Sequence, residues 1–98
     1  MIKMSMYNPS HPGEFIRNVY LEPLGISYRS VALKLNVSPS TFNRLIQGRS
    51  NISSVMALRL SKTLGRSPES WMAMQSNYNL WQAKQELNLD DVEKLVFA

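Results

Sequence analysis

The sequence predicts an all-α fold of five helices, with a helix-turn-helix at its centre. Apolar residues recur at i, i+3 and i+4 in successive segments, which is the spacing of helices packed on one side. Gly and Pro residues separate these segments. Two Ser-Pro pairs, at Ser38 and Ser67, each supply an N-cap followed by proline at the first helical position. A length of 98 residues suits one core, so we expect residues 1–98 to form a single domain.

The first helix is predicted from about Glu14 to Leu21, and Pro23 and Gly25 should end it. Its apolar face is expected to consist of Phe15, Ile16, Val19 and Tyr20. His11, the only histidine, precedes this helix, and we expect it to serve in a turn or as a cap rather than as a metal ligand. The preceding segment, Met1 to Asn8, is expected to be loose or to pack against a partner.

The stretch from about 27 to 48 predicts two short helices joined by a tight turn. The inward faces would be formed by Val31, Ala32 and Leu35 in one helix and by Phe42, Leu45 and Ile46 in the next. Asn36 tolerates the positive φ that such a turn needs, Ser38 suits the second N-cap, and Gly48 suits the C-terminal end. These features indicate a helix-turn-helix.

A fourth helix is predicted from about Ser54 to Leu64, ended by Gly65, and a fifth from Ser67 to about Leu87. The fourth would bury a stripe of Ile52, Met56, Leu60 and Leu64. The fifth carries a stripe of Trp71, Met74, Tyr78 and Trp81 at i, i+3, i+7 and i+10. About twenty helical residues would extend beyond a domain whose radius of gyration should be ~13 Å. We therefore expect Trp71 and Met74 to pack within the chain and the later residues to contact another chain.

The outer face of the second helix of the helix-turn-helix is rich in side chains that can bind nucleic acid. Arg bonds bidentately to guanine, Asn and Gln bond to adenine, and Ser and Thr bond to several base edges or to phosphate. The residues predicted to read DNA are Ser40, Thr41, Asn43, Arg44 and Gln47. Any surface helix has a polar face, so this pattern alone is weak.

The charge distribution strengthens the prediction. From Pro23 to Pro68 there is no Asp or Glu, and the segment contains Arg29, Lys34, Arg44, Arg49, Arg59, Lys62 and Arg66. The net charge of +4 therefore conceals a strongly basic middle segment. Such a distribution favours a polyanionic partner.

Several motifs follow one another along the chain: H-P-G-E at 11–14, L-E-P-L-G-I-S at 21–27, the helix-turn-helix, A-L-R-L-S-K-T-L-G-R-S-P-E at 57–69 and W-M-A-M-Q-S-N-Y-N-L at 71–80. In this order they resemble the motifs of the HigA-type antitoxins, which are lambda-repressor-like (XRE-type) helix-turn-helix proteins. The resemblance covers roughly Pro9 to Leu80. The chain departs from the family pattern at Ser70, where Phe is usual, and at Asn79, where Asp is frequent. The tail beyond Trp81 does not align.

The resemblance implies an antitoxin that neutralises a small, basic HigB-like ribonuclease of the RelE kind and represses its own operon as a homodimer. It also implies phosphate contacts from Arg49, Asn51 and Ser53 on the connection after the reading helix. We add Arg29 and Ser38 to the predicted DNA-binding set.

The C-terminal segment is predicted to make the dimer or toxin contacts. The residues assigned to it are Tyr78, Trp81, Leu89, Val92, Leu95 and Val96. We expect the tail to form a short helix, with an edge strand as the alternative. Its apolar residues would be unfavourable in water, which favours contact with another chain.

Other classes of function have little support in the sequence. There is no Cys, one His, no phosphate-binding glycine motif and no spaced pair of carboxylates within one motif, so we expect neither an enzyme nor a cofactor or metal site. No apolar stretch reaches the ~20 residues of a membrane span, and we expect a cytoplasmic protein. The alternatives to an antitoxin are a stand-alone regulator and an interaction module that no longer binds DNA.

Overall fold

The computed structural model describes Asn8 to Phe97, and within this range the chain forms five helices and no strand. The first helix, α1, consists of three consecutive segments, Pro12–Ile16, Arg17–Leu21 and Glu22–Leu24. The others are α2 (Tyr28–Leu35), α3 (Pro39–Ile46), α4 (Ser54–Leu64) and α5 (Pro68–Glu86). The predicted all-α fold with a central helix-turn-helix, formed by α2 and α3, is confirmed. The segment Met1 to Tyr7, for which a loose or partner-bound conformation is predicted, lies outside the described residues.

Helix α1 begins at a histidine cap and packs directly on α3. The Nδ1 atom of His11 accepts a hydrogen bond from the Gly13 N–H at 2.9 Å, which confirms the predicted capping role. Gly13 is buried, and a Cβ at this position would overlap the carbonyl of Leu45. The guanidinium of Arg17 donates to the Ile46 carbonyl at 3.0 Å, so α1 also caps the end of α3.

The middle of α1 is a π-helical turn, Arg17–Leu21, in which the Glu22 N–H donates to the Arg17 carbonyl five residues earlier. The turn ends two residues before Pro23, which has no N–H and whose ring would crowd a normal helical turn. Because the π turn adds one residue, the residue that follows Ile16 on the buried face is Leu21 rather than Val19. The predicted burial of Val19 is therefore wrong, since this side chain is 45% exposed. The helix also continues past the predicted end, to Leu24.

The core is built from the predicted faces of the helix-turn-helix and closed by α5. All six predicted inward residues are buried, together with Ile16, Leu21, Ile52, Ala57, Leu60 and Trp71. Met56, Leu64 and Met74 pack against this core from partly exposed positions. The Trp71 indole N–H donates to the Gly65 carbonyl at 2.9 Å, which joins the start of α5 to the end of α4.

The turn of the helix-turn-helix has the predicted left-handed residue. Asn36 has φ 60° and ψ 44°, and the N–H groups of Asn36 and Val37 bond to the carbonyls of Leu33 and Ala32. Arg59 from α4 donates to the carbonyls of Leu35 at 2.7 Å and of Asn36 at 3.3 Å. These bonds fix the end of α2 and hence the angle at which α3 leaves the turn.

Helix α5 and the tail extend away from the core. The radius of gyration is 16.7 Å and the longest extent is 56 Å. Only Trp71 and Gln75 of α5 are buried, and every residue from Gln82 to Phe97 is exposed. The prediction of a short helix in the tail is wrong, and the alternative strand is absent too: residues 88–97 contain one turn, closed by a bond from the Val92 N–H to the Leu89 carbonyl. All of residues 88–97 are exposed, so the described part of the chain does not cover their apolar side chains.

Candidate nucleic-acid interface

Three hydroxyl groups lie together at the N-terminal end of α3. The Oγ atom of Ser38, the N-cap, accepts from the Thr41 N–H at 3.2 Å and donates to Thr41 Oγ1 at 2.8 Å. The Oγ atom of Ser40 lies 3.3 Å from that of Ser38. Ser38 and Ser40 are exposed and Thr41 is partly exposed. The cluster lies at the positive end of the helix dipole, where phosphate oxygens or electronegative base edges are favoured.

The rest of the outer face of α3 consists of the predicted base-reading side chains. Arg44 and Gln47 are exposed and Asn43 is partly exposed, whereas the apolar side of α3 is fully covered by the core. A helix with this division can enter a major groove with its polar side towards the bases.

The C-terminal end of α3 positions Arg49. Gly48 has φ +77°, and its N–H donates to the Leu45 carbonyl at 2.9 Å. The Arg49 N–H donates to the Arg44 carbonyl at 2.9 Å, which completes a Schellman motif. The chain therefore turns sharply after α3, and the exposed Arg49 is placed at a fixed point beside the reading helix.

The connection between α3 and α4 has one buried anchor between two exposed polar residues. Ile52 is buried in the core, whereas Asn51 and Ser53 are exposed. The Oγ atom of Ser53 accepts from the Met56 N–H at 3.1 Å and so caps α4. The Ser53 hydroxyl hydrogen and the first N–H groups of α4 can still donate, which is the chemistry of a phosphate contact.

Arg29 lies in the first turn of α2 and is exposed. Its guanidinium carbon is 5.0 Å from the centroid of the Tyr28 ring, so the side chain is held by a cation–π contact. The helix is capped by Ser27, whose Oγ accepts from the Ser30 N–H at 3.2 Å. This end of α2 carries positive charge and a helix N-terminus together.

Two of the seven basic residues between Pro23 and Pro68 contact other elements of the fold. Arg59 is bonded to the turn of the helix-turn-helix, and the exposed Arg66 lies over the rings of Phe15 and Trp71 at 5.1 and 5.6 Å. The other five, all exposed, are Arg29, Lys34, Arg44, Arg49 and Lys62. Three of them belong to the predicted DNA-binding set.

Gln75 of α5 is a residue that the sequence analysis missed. It is 3% exposed, and its Oε1 accepts from the Ile52 N–H at 2.8 Å. Its Nε2 donates to the side-chain oxygens of Asn51 at 3.1 Å and Asn79 at 3.0 Å. The signal available in the sequence was its position, four residues after Trp71 and three before Tyr78, on the stripe that faces the core.

The residues predicted to contact another chain fall into two groups. Tyr78 and Trp81 are half-buried, with ring centroids 6.3 Å apart, and Tyr78 also packs edge-on against His11 at 5.0 Å. The tail residues are open to solvent, from 59% exposed at Leu89 to 85% at Val96. Leu87 and Phe97, which the prediction omitted, are comparably exposed. We call these eight residues, Tyr78, Trp81, Leu87, Leu89, Val92, Leu95, Val96 and Phe97, the C-terminal surface.

Fold and site together define a helix-turn-helix protein of the DNA-binding type, and residues 19–71 match the helix-turn-helix family. Virulence-associated protein I of Dichelobacter nodosus is 41% identical over 76 residues, which cover 78% of this chain and 70% of that protein. Other relatives, 26–32% identical, are described only as HTH-type transcriptional regulators.

Two solved structures are similar along nearly their whole length. Antitoxin GraA in complex with its operator has a TM-score of 0.81 and 34% identity, covering 99% of this chain and 100% of that one. Antitoxin HigA of Pseudomonas aeruginosa with the higBA promoter has a TM-score of 0.78 and 33% identity, covering 91% and 99%. The chain belongs to the HigA- and GraA-type antitoxins of the helix-turn-helix family. Within Asn8 to Phe97, no helix has the length and apolar character of a membrane span.

Proposed function

We propose that this protein is the antitoxin of a type II toxin–antitoxin system, which neutralises a HigB/RelE-like ribonuclease and, as a dimer, represses its own operon. The observation that carries the proposal is the similarity, over 99% of the chain, to an antitoxin bound to its operator. The exposed polar face of α3, in a segment without acidic residues, is the physical counterpart of that similarity.

In the DNA-bound state, α3 lies in the major groove. Base edges are read by Ser40, Thr41, Asn43, Arg44 and Gln47, and the phosphates are contacted by Arg29, Ser38, Arg49, Asn51 and Ser53. A two-fold dimer places its two reading helices in successive major grooves, ~34 Å apart, on a palindromic operator. Because this role requires chromosomal or plasmid DNA, we place the protein in the cytoplasm.

The C-terminal surface is the proposed site of protein contacts. It holds eight apolar or aromatic residues, six of them at least 59% exposed, and exposed apolar side chains concentrated in one segment are typical of a protein–protein contact. A second copy would bury part of it and the toxin another part. The flanking acidic residues Glu86, Asp90, Asp91 and Glu93 outnumber Lys84 and Lys94, which suits a basic toxin.

A stand-alone transcriptional regulator is the second candidate. The observation in its favour is that several relatives are described as regulators without mention of a toxin. The two candidates share the DNA interface and differ only in whether a second protein binds the chain.

The test is to purify the tagged full chain from its native cells, treat it with nuclease so that DNA cannot bridge partners, and determine the intact masses of everything that co-purifies. A stoichiometric, small, basic protein supports the antitoxin. Recovery of the chain alone as a dimer would replace this proposal with the stand-alone regulator. Titration of the purified chain onto the DNA upstream of its gene then tests the operator contact directly.

A further inference from the structure

Gln75 joins α5 to the connection that we propose contacts the DNA backbone. We infer that Gln75 is a positioning residue for DNA binding, which orients the side-chain amide of Asn51 so that its N–H groups face the phosphates. This inference rests on the DNA half of the proposed function and adds a residue that does not itself contact DNA.

The orientation follows from which atom of Asn51 is already bonded. The Oδ1 atom of Asn51 accepts from Gln75 Nε2 at 3.1 Å, so the oxygen of this amide is directed towards α5. Its Nδ2 group, with two N–H donors, is then directed the other way, on an exposed residue. Phosphate oxygens only accept hydrogen bonds from a protein, so the donor side is the useful one. Without Gln75, the amide could rotate and present its oxygen to the phosphate.

Gln75 can hold this orientation because its own amide is fixed by three bonds. Both N–H hydrogens are used, one by Asn51 and one by Asn79, and Oε1 accepts from the Ile52 N–H. The side chain is 3% exposed, so water does not compete effectively for these bonds. Reversing the Gln75 amide would break all three at once.

The test is Gln75→Glu, measured as the dissociation constant for the DNA upstream of the gene and for a random duplex of equal length. The carboxylate still accepts from the Ile52 N–H, but it cannot donate to Asn51, whose amide then turns its oxygen outward. We expect both dissociation constants to rise about tenfold, with their ratio unchanged. Measurement at pH 8 favours the ionised carboxyl group.

The matched control is Asn79→Asp. It adds the same negative charge one helical turn further along α5 and keeps the oxygen that accepts from Gln75. We expect both dissociation constants to change less than about twofold, because Asn51 keeps its orientation. If both variants lose the same affinity for DNA, the added negative charge is the cause, and the inference is overturned.

A double-mutant cycle separates positioning from general destabilisation. In an Asn51→Ala background there is no amide to orient, so Gln75→Glu should raise the dissociation constant for DNA less than about twofold. A rise of the full tenfold in that background would overturn the inference. Circular dichroism and sedimentation confirm that each variant is folded and keeps its oligomeric state.

If Gln75→Glu does not fold, the wild-type protein still tests the inference by NMR. On titration with DNA, the side-chain NH₂ signals of Asn51 should shift, while those of Gln75 stay protected from hydrogen exchange. Unshifted Asn51 signals in a protein that binds DNA would refute the role of Gln75 and the phosphate contact proposed for Asn51, and would leave the proposed binding of the operator by α3 intact. No binding of DNA by the wild-type chain would refute both.

Discussion

Gly13 lies where α1 packs directly against the backbone of α3. A methyl group added there would overlap the Leu45 carbonyl and lie 2.8 Å from the Ile46 Cα. Backbone atoms at the end of the reading helix cannot move aside cheaply. We expect Gly13→Ala to lower the free energy of unfolding by about 3 kcal/mol, measured by urea denaturation.

Gly25→Ala is the matched control for that substitution. Gly25 has φ +64°, but no atom lies within 4 Å of the position of an added Cβ. Alanine only disfavours the positive φ at this position, so we expect the free energy of unfolding to fall by about 1 kcal/mol. Equal losses in the two variants would show that α1 and α3 are not in close backbone contact.

His11 should make stability depend on pH. Its burial lowers the pKa of the imidazole below the usual 6.5, against smaller opposing effects from the Ser50 carbonyl and Glu14. The unfolded chain therefore takes up a proton at higher pH than the folded one. Stability should fall as pH drops below about 6.5, and the loss should level off once the pH is below the pKa of the folded state.

The measurement for His11 is urea denaturation between pH 7.5 and 5, compared with His11→Asn. Asn is a good N-cap and does not titrate. The variant should show a flatter profile over the same range. Parallel profiles would mean that protonation of another group causes the dependence.

The side chains whose roles were hardest to predict are those that form hydrogen bonds with residues distant in the sequence. Ser38, Ser67 and the left-handed Asn36 could be predicted because their bonding partners lie within a few residues. Gln75 bonds to residues 23 and 24 positions earlier, and Arg59 bonds to carbonyls at similar separations. For Gln75 the local pattern gives only its place on the stripe of α5 that faces the core, and for neither residue does it give the bonding partners, which lie on other elements.

At the scale of elements, a substitution on the outer face of α3 should affect the reading of base sequence. A substitution in the connection after α3 should affect binding to the phosphate backbone. We expect Arg44→Ala to lose ~1–3 kcal/mol of binding free energy on the operator and to relax discrimination at one base step. Arg49→Ala should weaken binding to all sequences and reduce the salt dependence by about one phosphate. Binding isotherms on operator and random duplexes over a range of salt concentrations measure both effects.

An unchanged ratio of operator to random binding in Arg44→Ala would contradict this assignment of the reading face. Lys34→Ala provides a control, since Lys34 is also exposed and basic but lies outside the predicted DNA-binding set. It should leave the ratio unchanged.

Helix α1 shows why element boundaries were harder to predict than element identity. A periodicity of 3.6 residues predicts Val19 on the buried face, and only the π turn shifts that place to Leu21. The sequence gives one hint, Pro23, whose effect depends on how the preceding turn adapts. The tail failed for a different reason: its apolar spacing indicates a helix only if a surface is present to pack against.

At the scale of the whole molecule, the C-terminal surface should control assembly. We expect the double substitution Leu95→Asp and Val96→Asp to weaken the dimer at least tenfold, since two charges would be placed in an apolar contact. Sedimentation velocity over a concentration series measures the change. The operator affinity should fall with it, because a monomer contacts only one half-site.

Leu33→Asp is the control for assembly, because Leu33 is 80% exposed but lies on α2, outside the C-terminal surface. Its sedimentation should match that of the wild type. If the dimer is unchanged by Leu95→Asp with Val96→Asp as well as by Leu33→Asp, the dimer contact lies outside these residues.

The rigid length of α5 has a further consequence for the proposed dimer. One part of this helix is bonded, through Gln75, to the connection after α3, and its other part holds Tyr78 and Trp81, which we propose contact the second copy. In that dimer, the length of α5 would set the distance between the two α3 helices. Removing one residue between Gln75 and Trp81 would shorten it by only ~1.5 Å but rotate one end relative to the other by about 100°. If Tyr78 and Trp81 make the proposed dimer contact, the number of residues in α5 sets the half-site spacing of the operator that the dimer can bind.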